Sequence, residues 1–198
     1  HGDTLTWKSP KLGIIGKWYR KADPVERVLY NSPDGGIQWE CKVPLADVNL
    51  YLGGKKTFKG VGYAEHLQMT LFPWKMPIDE LRWGRFLSGH DYVVWISWKG
   101  EHPLSVVLVN GQAMKNCFIT DDEIRSKNPG TVLSLTEKKI IRDGKLDKIG
   151  LSLVPGLTRL IPKKILQTHE CKWLSKGILQ SRDEQPLQGW AIHEIVRF

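Results

Sequence analysis

Two short runs place an acid beside an imidazole inside otherwise apolar, aromatic sequence: Gly62-Tyr63-Ala64-Glu65-His66-Leu67 and Gly189-Trp190-Ala191-Ile192-His193-Glu194-Ile195-Val196. A charge buried without a partner is strongly unfavourable, so these groups must be either paired or used. If both runs are β-strands, neighbouring side chains point to opposite faces and only one of each pair reaches a given interior. A carboxyl group held among aromatic rings has its pKa raised, which suits a general acid. Aromatic faces can in turn stabilise a developing carbocation through their quadrupoles. Glu65, His66 and Glu194 are therefore the candidate acid–base groups, and two carboxylates and two histidines meet if the last strand closes a sheet against the earlier one. Arg82 and Arg85 are the candidate charge partners for the first pair, with a structural Glu–Arg bridge as the alternative to chemistry.

The chain carries nine tryptophans in 198 residues, and Trp39, Trp74, Trp83, Trp95 and Trp98 fall in or near one stretch. Tryptophan buries a large area, so each can serve as core filler, while the group as a whole fits an aromatic cavity for a lipophilic ligand. Other chemistry is not signalled. The six histidines are scattered, without the His-x-His or His-x-x-x-His spacing of metal ligands, so no metal is expected. There is no GxGxxG, no phosphate-binding loop and no Gly-x-Ser-x-Gly, so these other catalytic signatures are missing.

Positioning such groups falls to short strands. Turn signals recur through the chain at Pro33-Asp34-Gly35-Gly36, Gly53-Gly54, Ser88-Gly89-His90-Asp91, Lys99-Gly100, Asn110-Gly111, Asn128-Pro129-Gly130, Asp143-Gly144 and Pro155-Gly156. Between them lie runs rich in Val, Ile, Leu, Trp and Tyr, which predict strands over 13–20, 25–31, 37–50, 56–72, 81–87, 92–98, 104–109, 114–119, 131–142, 147–154, 161–175 and 189–197. No window sustains helical periodicity. The best helical candidate is the capping box Thr120-Asp121-Asp122-Glu123, which Asn128-Pro129-Gly130 would cut short. In Tyr92-Val93-Val94-Trp95-Ile96-Ser97-Trp98, alternation puts Val94, Ile96 and Trp98 on one face and Val93, Trp95 and Ser97 on the other, so both faces are largely apolar. Many antiparallel strands with little helix to cover their edges predict an all-β fold spanning 1–198 as one domain, a single antiparallel β-barrel with a β-sandwich as the alternative.

Composition agrees with a globular chain: 41% of residues are hydrophobic and 25% charged. No apolar run approaches the ~20 residues of a membrane span, so no integral membrane segment is expected. His1-Gly2-Asp3-Thr4 lacks the pattern of a leader, although a start at His1 is also what a removed leader would leave, and a cytoplasmic location is the favoured expectation. Three widely separated cysteines, Cys41, Cys117 and Cys171, read as free thiols. The formal charge of +8 raises nucleic acid as a partner, but the densest basic stretch, Lys138 to Lys145, alternates with apolar residues and reads as the solvated face of a hairpin. Nucleic-acid binding is therefore not expected.

The order Gly-Tyr-Ala-Glu (62–65), Pro-Trp (73–74), Arg-Trp-Gly-Arg-Phe (82–86), Val-Val-Trp-Ile-Ser-Trp (93–98) and a closing Ile-His-Glu-Ile-Val (192–196) resembles the superfamily of carotenoid 1,2-hydratase (hydroxyneurosporene synthase), tocopherol cyclase and the lipocalin-like Diels–Alderases. The match covers residues 58–110 and the last strand. The resemblance implies a lipocalin-like barrel, without metal or organic cofactor, acting on prenyl or polyene substrates by protonating a double bond or holding a reactive conformer. It would make Glu65 the acid or its orienter and have Trp83, Trp95 and Trp98 line the cavity. His66 follows the glutamate where the cyclases commonly have Lys or a Trp-Gly context. Members usually carry two barrels where this chain has room for one, which implies either binding without catalysis or a homodimer with sites completed between subunits.

The leading expectation is a cofactor-independent isomerase, cyclase or hydratase for a hydrophobic, terpenoid or polyketide-like substrate. Glu65, His66 and Glu194 are its catalytic candidates, and Trp39, Tyr63, Trp83, Arg85, Trp95, Trp98 and His193 its substrate-binding candidates. The alternative is a non-catalytic carrier of a hydrophobic small molecule using the same pocket.

Overall fold

The computed structural model describes residues 4–54, 56–128, 130–145, 166–181 and 185–198. Its strands in chain order are β1 Thr4–Ser9, β2 Ile14–Arg20, β3 Val25–Ser32, β4 Gly35–Leu52, β5 Lys56–Met69, β6 Glu80–Leu87, β7 Tyr92–Lys99, β8 Leu104–Val109, β9 Gln112–Ala113, β10 Lys115–Ile119, β11 Glu123–Asn128, β12 Thr131–Lys145, β13 His169–Gln180 and β14 Leu187–Arg197. The fold is all-β and antiparallel, as expected, with a nearly closed barrel sheet and a half-barrel sheet. By internal packing the chain divides into two compact units, His1–Thr70 with Leu87–Tyr92, and Leu71–Phe86 with Val93–Phe198.

The first unit holds the half-barrel of five strands, organised by β4. One edge of β4 is shared, with β3 pairing along Gly35–Cys41 and β2 along Ala46–Leu52, while β5 pairs along the other edge from Ile37↔Met69 to Leu52↔Lys56. Register shifts between Glu40 and Val43 and between Val43 and Ala46 bend this long strand. Pro44 lies within that irregular stretch, where a missing N–H costs least. Val43, Ala46 and Val48 form an apolar cluster with Leu5, Trp18, Leu50 and Ala64. Gly62 of the Gly-Tyr-Ala-Glu run has a packing reason: a Cβ there would lie 2.1 Å from Val48 Cγ2 and 2.7 Å from Trp18 Nε1.

The second unit holds the nine-stranded sheet, in the order β10-β11-β12-β13-β14-β6-β7-β8-β9. Near its ends, Met114 N donates to Val107 O at 2.9 Å. The core on one side of this sheet packs Phe86, Val93, Trp95, Val107, Ile124, Leu133, Leu135, Leu179 and Ala191. Val94, Ile96, Trp98 and Leu108 are buried as well, so both faces of β7 are covered, as its two-sided apolar pattern implied. Within the core, a cavity bounded by Val93, Val107, Met114, Ile124 and Leu133 measures about 10 Å³. That is about the space of a single water, with no room for a terpenoid.

Several expected turns form where they were placed. The β3–β4 hairpin pairs Ser32 with Gly35 around Pro33-Asp34. Asn110 (φ 49) and Gly111 (φ 82) make the tight β8–β9 turn that only left-handed residues allow. Other expectations are corrected. Asp143-Gly144 is no turn: β12 runs through it, pairing Asp143 with Cys171 and Gly144 with Glu170, because glycine takes a φ of 151 without breaking the ladder. Thr120 caps no helix; its hydroxyl accepts from the amides of Asp122 and Glu123 and its N–H donates to Glu123 O, turning the chain from β10 into β11. β1 is an additional edge strand, and β5 stops at Met69, followed by a short 3-10 turn at Pro73–Lys75. The strand expected over 147–154, the turn at Pro155-Gly156 and the start of the strand expected over 161–175 lie outside the described residues. No helix among the described residues is long and apolar enough to cross a membrane.

Candidate functional site

Strand alternation puts Val61, Tyr63, Glu65 and Leu67 of β5 on one face, and the register sets Trp39 of β4 opposite Leu67. On that face the indole Nε1 of Trp39 donates to Glu65 Oε2 at 2.7 Å, and the Tyr63 hydroxyl donates to the same oxygen at 2.7 Å. Trp39 is wholly buried and Tyr63 half-buried, while Glu65 is exposed. Glu65 Oε1 has no hydrogen-bond partner among the described residues, so the carboxylate is gripped by one oxygen and offers the other. Burial pushes the Tyr63 phenol far above its ordinary pKa, helped by the Glu65 carboxylate and Cys41. The phenol therefore stays a donor at neutral pH. Cys41, buried beside it, donates its thiol to Ala64 O at 3.8 Å. Tyr92, also buried, is pushed up to about 12 by burial, with Cys41 and Asp23 adding to the shift.

His66 points the other way, as adjacency on a strand requires. Its Nδ1 stands 4.0 Å from Glu40 Oε2, which Lys42 holds at 2.8 Å. Along the same face lies an open pocket of about 300 Å³ whose walls include Val28, Gln38 and Gln68.

The second acid–imidazole pair belongs to the second unit. His193 is buried, with Nε2 2.8 Å from Ser175 Oγ and its ring 5.1 Å from that of Trp173 and 6.0 Å from that of Trp95. Burial lowers its pKa to about 4, so it is neutral at neutral pH. Gly84 makes room for this packing: a Cβ there would lie 2.2 Å from Trp95 Cζ2 and 2.6 Å from His193 Cβ. Glu194 faces the other side of β14, 2.5 Å from Lys172 Nζ, in a chain of charges continued by Glu170 and Arg142. Burial raises the Glu194 carboxyl, and Glu170 adds to the shift while the Lys172 ammonium opposes it.

The meeting of carboxylates and histidines across a seam between the two strands does not form. β14 lies between β13 and β6 in the nine-stranded sheet, and β5 pairs with β4 in the five-stranded one. Arg82 does not partner Glu65 or His66 either; it pairs with Glu80 at 3.2 Å and with Asp121. On β6, Gly84 and Phe86 pack into the core, which by alternation leaves Trp83 and Arg85 on the opposite face. Trp95 fills the core, and Trp98, on the other face of β7, donates its Nε1 to His102 O at 2.7 Å. Trp95 therefore does not share a wall with Trp83 and Trp98. Trp74 is partly exposed and stacks on Phe72 with ring centroids 4.7 Å apart.

Sequence reasoning left Cys41 as an ordinary thiol, although its position two residues from Trp39 on one strand was the available signal. Ser175 and Lys172, the partners of His193 and Glu194, carried none, because strand register is not written locally. None of the three cysteines is in a disulfide; Cys41 is buried and Cys117 and Cys171 partly so. Among the described residues no group of three His, Cys, Asp or Glu could hold a metal ion.

No protein-family model and no curated protein matches the chain. Among solved structures it is similar to CghA, at 12% identity and a TM-score of 0.52, with 98% of this chain and 64% of that one covered. A second structure, CghA with Sch210972, aligns at 11% identity and a TM-score of 0.44, covering 98% and 73%. The chain thus spans 64% of the length of the first of these structures. At such identity the likeness is one of fold, and what it shows is an all-β, barrel-type architecture.

Proposed function

We propose that this protein is a cofactor-independent isomerase, cyclase or hydratase of a hydrophobic, terpenoid or polyketide-like molecule, with Glu65 as the group that moves the proton. The observation that carries the reading is the double grip on Glu65 Oε2 by Trp39 and Tyr63, which fixes the carboxyl plane and leaves Oε1 open. Val61 and Leu67, before and after Glu65 on the same face of β5, are 45% and 41% exposed and supply apolar surface along that face. An isomerisation or cyclisation needs only a proton taken from one substrate atom and returned to another, and a hydration adds one water, so no redox partner enters. Resemblance of the 62–65 run to the carotenoid hydratase and tocopherol cyclase superfamily favours the same assignment. In this reading His66, on the far face with Glu40, takes no part in the proton transfer, and His193 and Glu194 serve the structure of the second unit.

The test is to identify by mass spectrometry the lipophiles that co-purify with the protein and incubate each with fresh protein. Conversion to a product of equal mass, or of mass increased by one water, supports the proposal. Saturable binding with unchanged ligand after long incubation makes the protein a carrier and contradicts it.

A further inference from the structure

The pocket of about 300 Å³ in the first unit lies at the end of the β3–β4 hairpin, on the face of β4 and β5 away from Glu65. Gln38 and Gln68 pair in register across β4 and β5, and Val28 of β3 pairs with Gln38 from the other side, so the three form a row over the sheet. Asn31 and Thr70 complete a polar rim, and Ile37 contributes to the wall. The register shift between Val28 and Tyr30 breaks the ladder at this point. The side chains of Asn31, Gln38 and Gln68 make no hydrogen bond to any described residue, so three amides, each with a donor end and an acceptor end, are available to one ligand. Thr70 Oγ1 accepts from Gly36 N at 2.9 Å. No ionisable side chain other than the Tyr30 phenol lines the pocket. Charges along this face begin one register step away, where Glu26, Glu40 and His66 form a row across the three strands and Lys42 holds Glu40.

We propose that this pocket is a binding site for a neutral sugar ring. A pyranose presents hydroxyls that each donate and accept, which amides match in pairs, and a C–H face that packs on Val28, whose side chain is 69% exposed. Absence of charged walls disfavours phosphate or carboxylate ligands, which would bring a charge with no counter-charge. The volume is at the lower end for small-molecule sites, fitting one ring rather than an extended lipid. This site is independent of the Glu65 face and of the reaction proposed for it.

The experiment is a titration of the isotope-labelled full chain with glucose, galactose, mannose and N-acetylglucosamine, following the side-chain amide signals of Asn31, Gln38 and Gln68 by NMR. At least one sugar is expected to shift these signals saturably at millimolar concentration. Gln38→Ala and Gln68→Ala should each weaken binding roughly 2- to 10-fold, the effect of losing one neutral hydrogen bond, while Gln188→Ala on β14 leaves it unchanged. No saturable shift with any of the four sugars overturns the site. Equal shifts with cyclohexanol, or binding indifferent to both glutamine variants, overturns the sugar assignment.

Discussion

Trp39 and Glu65 sit on adjacent strands of the half-barrel, with the indole N–H of the first 2.7 Å from Oε2 of the second. A wholly buried side chain thereby holds an exposed one, and the rigidity of the core is passed to a carboxylate that solvent and ligand can reach. Positioning of this kind, rather than cavity size, is what distinguishes this face of the first unit.

Trp39→Phe removes the donor and keeps most of the ring. Water can replace the lost bond at an exposed carboxylate, so the stability cost should be modest, about 1 kcal/mol by denaturant unfolding. Trp39→Ala, which empties a fully buried site, should cost about 3–5 kcal/mol. If Trp39 positions Glu65, the Phe variant lowers kcat more than it raises KM. A change in KM alone would mean that Trp39 only lines the site.

Alkaline titration should separate the tyrosines. The folded pKa of Tyr63 is raised, and that of Tyr92 reaches about 12, against 10.0 for the free phenol. Above pH 10 the unfolded chain loses these protons while the folded chain keeps them, so stability is full below that point and falls as pH rises. Phenolate absorbance should show the Tyr63 and Tyr92 protons leaving only well above pH 10 or on unfolding. Tyr63→Phe should remove one late proton; unchanged late absorbance would contradict the burial of this phenol.

In the second unit, acid should act through His193. Its pKa falls from 6.5 to about 4 on folding, so between those values the unfolded chain binds a proton that the folded chain refuses. Stability is therefore lost as pH drops through that window, by roughly 3 kcal/mol at most. Lys138 and Arg82 reinforce the shift, and Asp121 and Asp122 oppose it. Glu80 and Glu170, whose pKa values are lowered from 4.5, lose their contribution below that value, whereas the Glu194 carboxyl, raised from 4.5 by burial, takes up its proton more readily in the folded chain and offsets part of the loss within the window. His193→Gln should flatten the dependence of the urea midpoint on pH across the window. A variant as acid-sensitive as the parent would place the effect elsewhere.

Gly84→Ala should overpack the same core, because the added methyl meets Trp95 and the His193 Cβ. A loss of about 1–3 kcal/mol or more is expected in thermal or denaturant unfolding. A neutral result would show that the Trp95 and His193 rings yield without cost.

Much of this was legible in the sequence. Asn110-Gly111 announces its turn because few residues tolerate positive φ, Pro33-Asp34 announces its own because proline presets the turn angle and aspartate favours a local turn, and the opposed faces of Glu65 and His66 follow from strand alternation alone. Pairing between distant strands was not legible. That β6 lies beside β14, and that β5 has β4 rather than β14 as its neighbour, depends on tertiary packing that no local run encodes. Asp143-Gly144 and the capping box at Thr120 misled for a related reason: the local chemistry was real, yet the ladder from β12 to β13 and the turn into β11 used it differently. The glycines at 62 and 84 were visible as motif positions, but their role as gaps for Trp18 and Trp95 appears only once the sheets are formed.

The central claim is that Glu65 performs the proton transfer, and Glu65→Gln tests it most directly. The amide oxygen of glutamine still accepts from Trp39 and Tyr63, so fold and ligand affinity should be kept, while the group can no longer take up and return a proton at neutral pH. With the co-purifying lipophile as substrate, the variant should bind within a fewfold of the parent and lose turnover by about 100-fold or more. Turnover equal to that of the parent, with binding intact, would contradict the claim.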